Sequence, residues 1–306
     1  MIGNDEARAA FAAAADSGSL HHAWLIAGPE GVGKATFARQ AALGLLGDTE
    51  QTRSLIAAGS HPDYRELRRL PKDAEKSDQD LARSIPIAQV RSLLPMFSTH
   101  SARRVVVIDA IDDLERPGAS NALLKNLEEP PQGTIFLAIS HAPGRLLPTI
   151  RSRCRLLRFG RLSDAEVGAV LRAQLPDIKE SELLALIGAA DGSPGRAVSL
   201  AGLDIGALDK ALEAIAGDGD PSNAKRSSLA KTLAGKTAQA RYEAFLDRAP
   251  SFIAQRAAQM KGTPLRHALD AHDAARNLAG SARGLSLDVQ GTVFEMAGLV
   301  ASLARR

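Results

Sequence analysis

The stretch Gly28-Pro-Glu-Gly-Val-Gly33-Lys34 has the residue types and spacing of a phosphate-binding loop. Its glycines allow backbone N–H groups to turn inward around phosphate oxygens, and a helix that follows presents its positive end to them. Gly28, Gly31 and Gly33 are the cradle, and Lys34 is placed to reach the β/γ-phosphates. Hydrolysis needs more than binding. Mg²⁺ is held by a Ser or Thr directly after the lysine and by an Asp at the end of a neighbouring strand. Asp109, ending the run RRVVVID, answers the second need. Ala35 stands where the first belongs, and the hydroxyl of Thr36 arrives one residue late. Successive helical residues point about 100° apart, so Thr36 is no simple substitute. A water-activating carboxylate is expected directly after the strand aspartate, yet Ala110 is there. Asp112 and Asp113 read as a solvated loop or cap. The loop is therefore a degenerate nucleotide site, and whether it holds nucleotide or only joins strand to helix stays open at this level.

Further along, Thr149-Ile-Arg-Ser-Arg-Cys154 places arginines just before an apolar run. An arginine at an interface can neutralise charge developing on a neighbour's γ-phosphate. The alternative is a basic turn, solvated or paired with this chain's own acids. Arg196, after the helix start Ser193-Pro194, either packs on a surface or reaches a phosphate. Cys154 has no histidine in a suggestive context, and as a small thiol before a strand it reads as packing, not as a nucleophile. His21-His22 reads as strand, where neighbours point to opposite faces. His61-Pro-Asp63 reads as a turn, so neither is taken as a ligand set.

The elements that must position these residues alternate. Residues 4–16 make an amphipathic helix, and His22–Ala27 a buried parallel strand. A helix follows the loop to Leu46. Residues 57–83 are polar and irregular, with DAEKSDQD an exposed loop. Ser84–Arg91 leads into a helix carrying Val90, Leu93, Leu94 and Phe97. Arg103–Asp109, Thr134–Ser140 and Arg155–Phe159 are further strands. The helix 119–129 lies among them and is stopped by Pro130-Pro131. Strands alternating with helices predict a parallel sheet covered on both faces. After Leu162 no strand is expected. Ser163–Glu166 is a capping-box start, and helices continue to the C-terminus with breaks at 217–222, 249–250, 262–264 and 284–286.

The bulk properties agree. A chain of 306 residues predicts two or three domains. It is 45% apolar, 24% charged and only 4% aromatic, as expected of a soluble, helix-rich protein. With a single cysteine, neither an intrachain disulfide nor a multi-cysteine zinc site is available. The first residues carry Asp5, Glu6 and Arg8, which does not suit a signal peptide, and no apolar stretch is long enough to span a bilayer. A cytoplasmic protein is expected. A net charge of +3 is too mild for strong autonomous DNA binding.

Taken together, LHHAWLIAGPEGVGKAT, SIPIAQVRSL, RVVVIDAIDDL, ASNALLKNLEEPP and LAISHAPGRLLPTIRSRCR resemble the delta-prime branch of the bacterial DNA polymerase III clamp-loader family. The likeness is strong over about 20–160 and weaker beyond. It implies an α/β P-loop (AAA+) parallel-sheet domain over 1–160, a helical lid over 161–204 and an all-α C-terminal collar over 205–306. It further implies a stator without ATP turnover of its own, working beside gamma/tau ATPase subunits and the delta subunit. Such a subunit acts on the sliding clamp and primed DNA through the complex. By this likeness Arg153 is an arginine finger acting in trans, and Ser140 and Arg196 hold the two sensor positions. Gly28, Gly31, Gly33, Lys34, Thr36 and Asp109 remain the vestigial nucleotide residues. Many members carry a four-cysteine zinc module in the region matching roughly 48–68. This chain has no cysteine there, so no zinc is expected and no cofactor is required, weak ATP or ADP binding aside. An active ATPase of the motor or helicase-loader type is the rival.

Overall fold

The computed structural model describes residues 1–18, 20–71, 81–93, 103–235, 237–285 and 287–304. The chain divides into two compact units, Met1–Val170 with Gly192–Arg196, and Leu171–Asp191 with Ala197–Arg306.

The first unit is built on β1 (Ala23–Ala27), β2 (Tyr64–Arg68), β3 (Arg104–Asp109), β4 (Thr134–Ser140) and β5 (Arg155–Arg158). They form one sheet in the order β2-β3-β4-β1-β5, every pair parallel. Its helices are α1 (Asp5–Asp16), α2 (Lys34–Leu46), α3 (Glu50–Ala57), α4 (Ile87–Arg91), α5 (Gly118–Glu128) and α6 (Pro148–Arg151). β1 and β4 are buried along their whole length, which is why they are uninterrupted apolar runs with no alternation. The two faces differ. On one, Leu25, Ala27, Val106, Ile108, Phe136 and Ala138 pack with Leu123, Leu127 and Ile150. On the other, aromatic rings meet in series. Phe11 lies 5.0 Å from Trp24 and 5.4 Å from Phe37, and Phe37 lies 5.1 Å from Phe159.

The second unit is helical: no strand occurs beyond Arg158 among the described residues. Its chain carries α7 (Asp164–Gln174, which begins in the first unit), α8 (Glu180–Ala190) and α9 (Pro194–Leu200, likewise). α10 (Ile205–Asp218), α11 (Ala224–Leu233), α12 (Gln239–Ala257), α13 (Gly262–Leu285) and α14 (Val289–Ala301) follow. The capping box forms as expected, with Ser163 N and Oγ donating to Glu166 Oε2 at 2.8 and 2.7 Å. α13 buries Ala268, Ala271, Ala275, Ala279 and Ala282 at three- and four-residue spacing, so small side chains bring its backbone close to α12 and α14. Asp220 is almost fully buried and accepts from the backbone N–H groups of Lys225 and Arg226, doing the work of a cap for α11.

Four expectations are corrected. Residues 57–83 are not irregular throughout, since β2 is a strand at the sheet's edge, and α3 precedes it. The helix expected after Ser84 is present as α4, while the break expected at 262–264 lies instead at 258–261, since α13 runs through 262–264. Leu94, Phe97 and the segment DAEKSDQD lie outside the described residues. No break occurs at 249–250: Pro250 sits inside α12. A proline there forgoes one hydrogen bond and crowds the carbonyl four residues back. The helix continues because Phe245, Leu246, Ala249, Phe252 and Ile253 are buried around it. His21 and His22 precede β1 and are not on opposite faces. Their rings stack at 4.4 Å, and each ring nitrogen that is bonded meets a backbone group, at Ala23 and Leu127.

Candidate nucleotide site

The loop follows β1 at the sheet's carboxyl edge, where ligands bind in open α/β sheets. Gly31 and Gly33 have φ of 76° and 95°, in the region where glycine alone is comfortable. α2 starts at Lys34, so its free N–H groups face the loop as expected. The loop is closely held by its own chain. Gly28 N donates to Ser140 O at 3.2 Å, and a Cβ on Gly28 would lie 2.0 Å from Phe159 O. On the far side, Ser193 Oγ donates to Glu30 O at 2.8 Å and Gly195 N to Gly31 O at 2.9 Å. A Cβ on Gly31 would meet Ser193 Oγ at 2.2 Å, and one on Gly33 would meet Met1 Cε at 2.7 Å.

Lys34 is 3% exposed, and its ammonium donates to Gly28 O at 2.7 Å and also to Pro29 O. It is thus folded back on the carbonyls of the loop it is meant to serve. Burial lowers its pKa to about 8, against the opposing pull of Glu30, Asp109 and Asp112. The ordinary value is 10.5, so the unfolded chain binds the proton more tightly. Stability then rises with pH between about 8 and 10.5 from this group, and the cost of the buried charge is fully present below pH 8. We expect the stability of Lys34→Met relative to the native protein to be greatest below pH 8. That advantage should shrink between pH 8 and 10.5. Paired thermal melts across that range measure it, and a difference independent of pH would refute the assignment.

Asp109 ends β3 half-buried. Burial raises its pKa, and Arg39, 3.6 Å away, is the nearest opposing influence. Arg39 is itself gripped by Glu66 through two bonds of 2.5 and 3.2 Å, and Glu66 also accepts from Tyr64 at 2.7 Å. Burial works to raise the pKa of Glu66, but its bonds to Arg39 and Tyr64 win and leave it lowered. Asp109 is thus served by a cation of the chain itself.

Ala110 is buried in the core at the place where the general base was sought. Thr36 is exposed on α2, turned away as the helical geometry requires. Ser140 is fully buried, and its hydroxyl donates to Asp112 Oδ1 at 3.0 Å, while His141 N donates to Asp112 Oδ2 at 2.6 Å. Asp112 is therefore no solvated cap. It bridges the ends of β3 and β4, a contact that depends on those strands being neighbours. Arg196 N donates to Ser193 Oγ at 3.3 Å, which sets the first turn of α9 beside the loop. Arg153 stands apart from this group. Its guanidinium lies 2.7 Å from Glu128 of α5 and donates to Thr149 O at 2.9 Å. Cys154 is largely buried and its pKa is raised to about 11 by that burial, which leaves no reactive thiolate at neutral pH.

A parallel sheet with a glycine loop running into a helix, and with Asp109 and Ser140 at adjacent strand ends, is the arrangement of a P-loop module. A family model described as "DNA polymerase III, delta subunit" matches residues 3–163, just over half of the chain. The chain belongs to that family. DNA polymerase III subunit delta' of Pseudomonas aeruginosa is 38% identical over 59% of this chain and 56% of its own length. Its Escherichia coli counterpart is 33% identical over 60% and 55%. DNA polymerase III subunit tau of Escherichia coli is 31% identical over 81% of this chain and 38% of its own. The chain thus spans about half the length of the delta' relatives and less of tau. A gamma-subunit-related protein of Thermotoga maritima aligns over 93% of this chain and 96% of its own at 17% identity, with a TM-score of 0.42, too weak a likeness to carry meaning here. Among the described residues no helix is long and apolar enough to cross a membrane.

Proposed function

We propose that the chain is a delta-prime-like stator of the bacterial DNA polymerase III clamp loader, which helps place the sliding clamp on primed DNA in the cytoplasm. The observation that carries this is the paired loss at the nucleotide site: Ala35 and Ala110 replace the magnesium-binding hydroxyl and the water-activating carboxylate. On this proposal the chain hydrolyses no ATP, requires no cofactor and no zinc, and binds ATP or ADP weakly if at all. Residues 1–160 form the AAA+ module, 161–204 the lid and 205–306 the collar that joins it to gamma/tau and delta subunits. Arg153 completes a neighbour's ATP site. Its place at the end of α6, half-exposed and held by a surface acid, suits a side chain that changes partner on assembly.

The test is direct. The isolated protein should show no ATP turnover. Arg153→Ala should leave its own melting temperature nearly unchanged, because the Glu128 pair is largely solvated and worth roughly 0–1 kcal/mol. In the reassembled loader the same variant should slow turnover at the adjoining site by on the order of 10³-fold or more. Full loading activity with Arg153→Ala would overturn the role in trans. A second reading is an active ATPase in which Asp112 serves as the base, favoured by its bonds to Ser140 and His141. Steady turnover by the isolated chain, abolished by Asp112→Asn, would establish that reading in place of the first.

A further inference from the structure

β5 is the end strand of the sheet, and β1 is its one partner among the described residues. Leu25 pairs in register with Leu156, and Ala27 with Arg158. Residues two apart share a face, so these four side chains form one patch on the sheet at its open edge. The patch is the floor of a cleft of about 750 Å³, walled by Pro143, Pro148 and Arg151. That volume falls within the range of ligand and peptide pockets. Leu156 is 44% exposed here, whereas Leu157, on the other face, is buried. A large aliphatic side chain left open over an apolar floor is an anchor point.

Charge says what would occupy it. Arg151 and Arg158 are both exposed on the cleft's lining. Neither guanidinium has an ion pair or hydrogen bond among the described residues, whereas Arg153, in the same stretch of chain, holds Glu128. Two unpartnered guanidinium groups flanking an apolar floor suit carboxylates beside an aliphatic or aromatic side chain. A strand edge adds backbone donors and acceptors in a row, the platform used when an extended peptide joins a sheet. We propose that this cleft docks an extended acidic peptide segment of a partner protein. The segment lies along β5, sets an apolar side chain over Leu156 and pairs carboxylates with Arg151 and Arg158. The site does not depend on nucleotide in the loop.

The bland account of the same arginines is edge protection, since charged side chains on an edge strand prevent sheet-to-sheet pairing. A titration of the full-length protein separates the two. The probe is a short synthetic peptide alternating Asp with Leu, followed by backbone amide NMR shifts and by fluorescence anisotropy. Two controls carry Lys for Asp and Ser for Leu, and a third is a single-stranded oligonucleotide. Saturable shifts centred on Leu25, Gly28, Leu156 and Arg158 are expected with the first peptide alone. Arg151→Ala and Arg158→Ala should each weaken binding by roughly tenfold, as loss of a charge-assisted bond does. Leu156→Ser should weaken it similarly, and unchanged melting would show that all three variants fold. No saturable shift, equal binding of the Lys peptide, or displacement of the acidic peptide by the oligonucleotide at these residues would each overturn the proposal.

Discussion

Gly28→Ala is expected to destabilise the first unit by more than about 3 kcal/mol, the range reached when backbone and packing must both give way. The added Cβ would lie 2.0 Å from Phe159 O and 3.0 Å from Phe159 C, so it meets backbone and not a flexible side chain. Neither partner can retreat cheaply. Phe159 N donates to Ala27 O at 2.8 Å, Gly28 N donates to Ser140 O, and the Phe159 ring is packed on Phe37. Relief therefore requires opening the joint between β1 and the end of β5. Gly44→Ala in α2 is the control of opposite sign. Nothing lies within 4 Å of its added Cβ, and a helical alanine gains about 1 kcal/mol over glycine. Denaturant unfolding followed by tryptophan fluorescence measures both, because Trp24 is the chain's single tryptophan and reports the first unit. A Gly28→Ala protein as stable as the native one would refute the geometry of the loop.

The second large effect is expected from Trp24→Ala, at about 3–5 kcal/mol. Trp24 is 1% exposed. Its ring meets Phe11 edge-on at 5.0 Å and has the Arg155 guanidinium 5.1 Å above it, while its N–H donates to His21 O at 3.0 Å. Removing it leaves a void between α1 and the sheet and an unanswered carbonyl. Trp24→Phe should cost much less, since it keeps most of the buried area and loses the indole bond. Because Phe11 connects onward to Phe37 on α2, the alanine variant should also loosen the helix that carries Lys34. Circular dichroism melts give the stability, and hydrogen exchange in α1 and α2 gives the loosening. Equal stabilities for the alanine and phenylalanine variants would remove the aromatic series from the account.

Much of this arrangement is written locally in the chain. β1, β3 and β4 are continuous apolar runs because both of their faces are covered, and such runs stand out. β2 does not, since Tyr-Arg-Glu-Leu-Arg lies at the edge, where polar side chains are tolerated and, in Arg39–Glu66, used. The proline inside α12 misleads for a related reason: local preference says stop, and burial around Phe245 and Ile253 decides otherwise. At the site, the glycines, Lys34, Asp109 and the two intrusive alanines are visible as spacing. Asp112 is not, because its partner Ser140 is 28 residues away and reaches it only once β3 and β4 are neighbours. The pairing of Arg153 with Glu128 is hidden in the same way, by a separation of 25 residues between the end of α5 and the end of α6.

The seat of Gly195 against Gly31 bears on how such a loop is inherited. An added Cβ on Gly195 would come within 2.9 Å of the Gly31 Cα, and one on Gly31 would strike Ser193. Gly195 is thus demanded by the backbone of Gly31, and Gly31 by Ser193 and the backbone N of Arg196, whatever the loop binds. A lineage that ceased to use nucleotide here would still be penalised for replacing either, because the cost would fall on folding and would precede any cost to a reaction. The glycine signature therefore reports the packing of the loop first, and Ala35 and Ala110 are the positions at which its chemistry has to be tested.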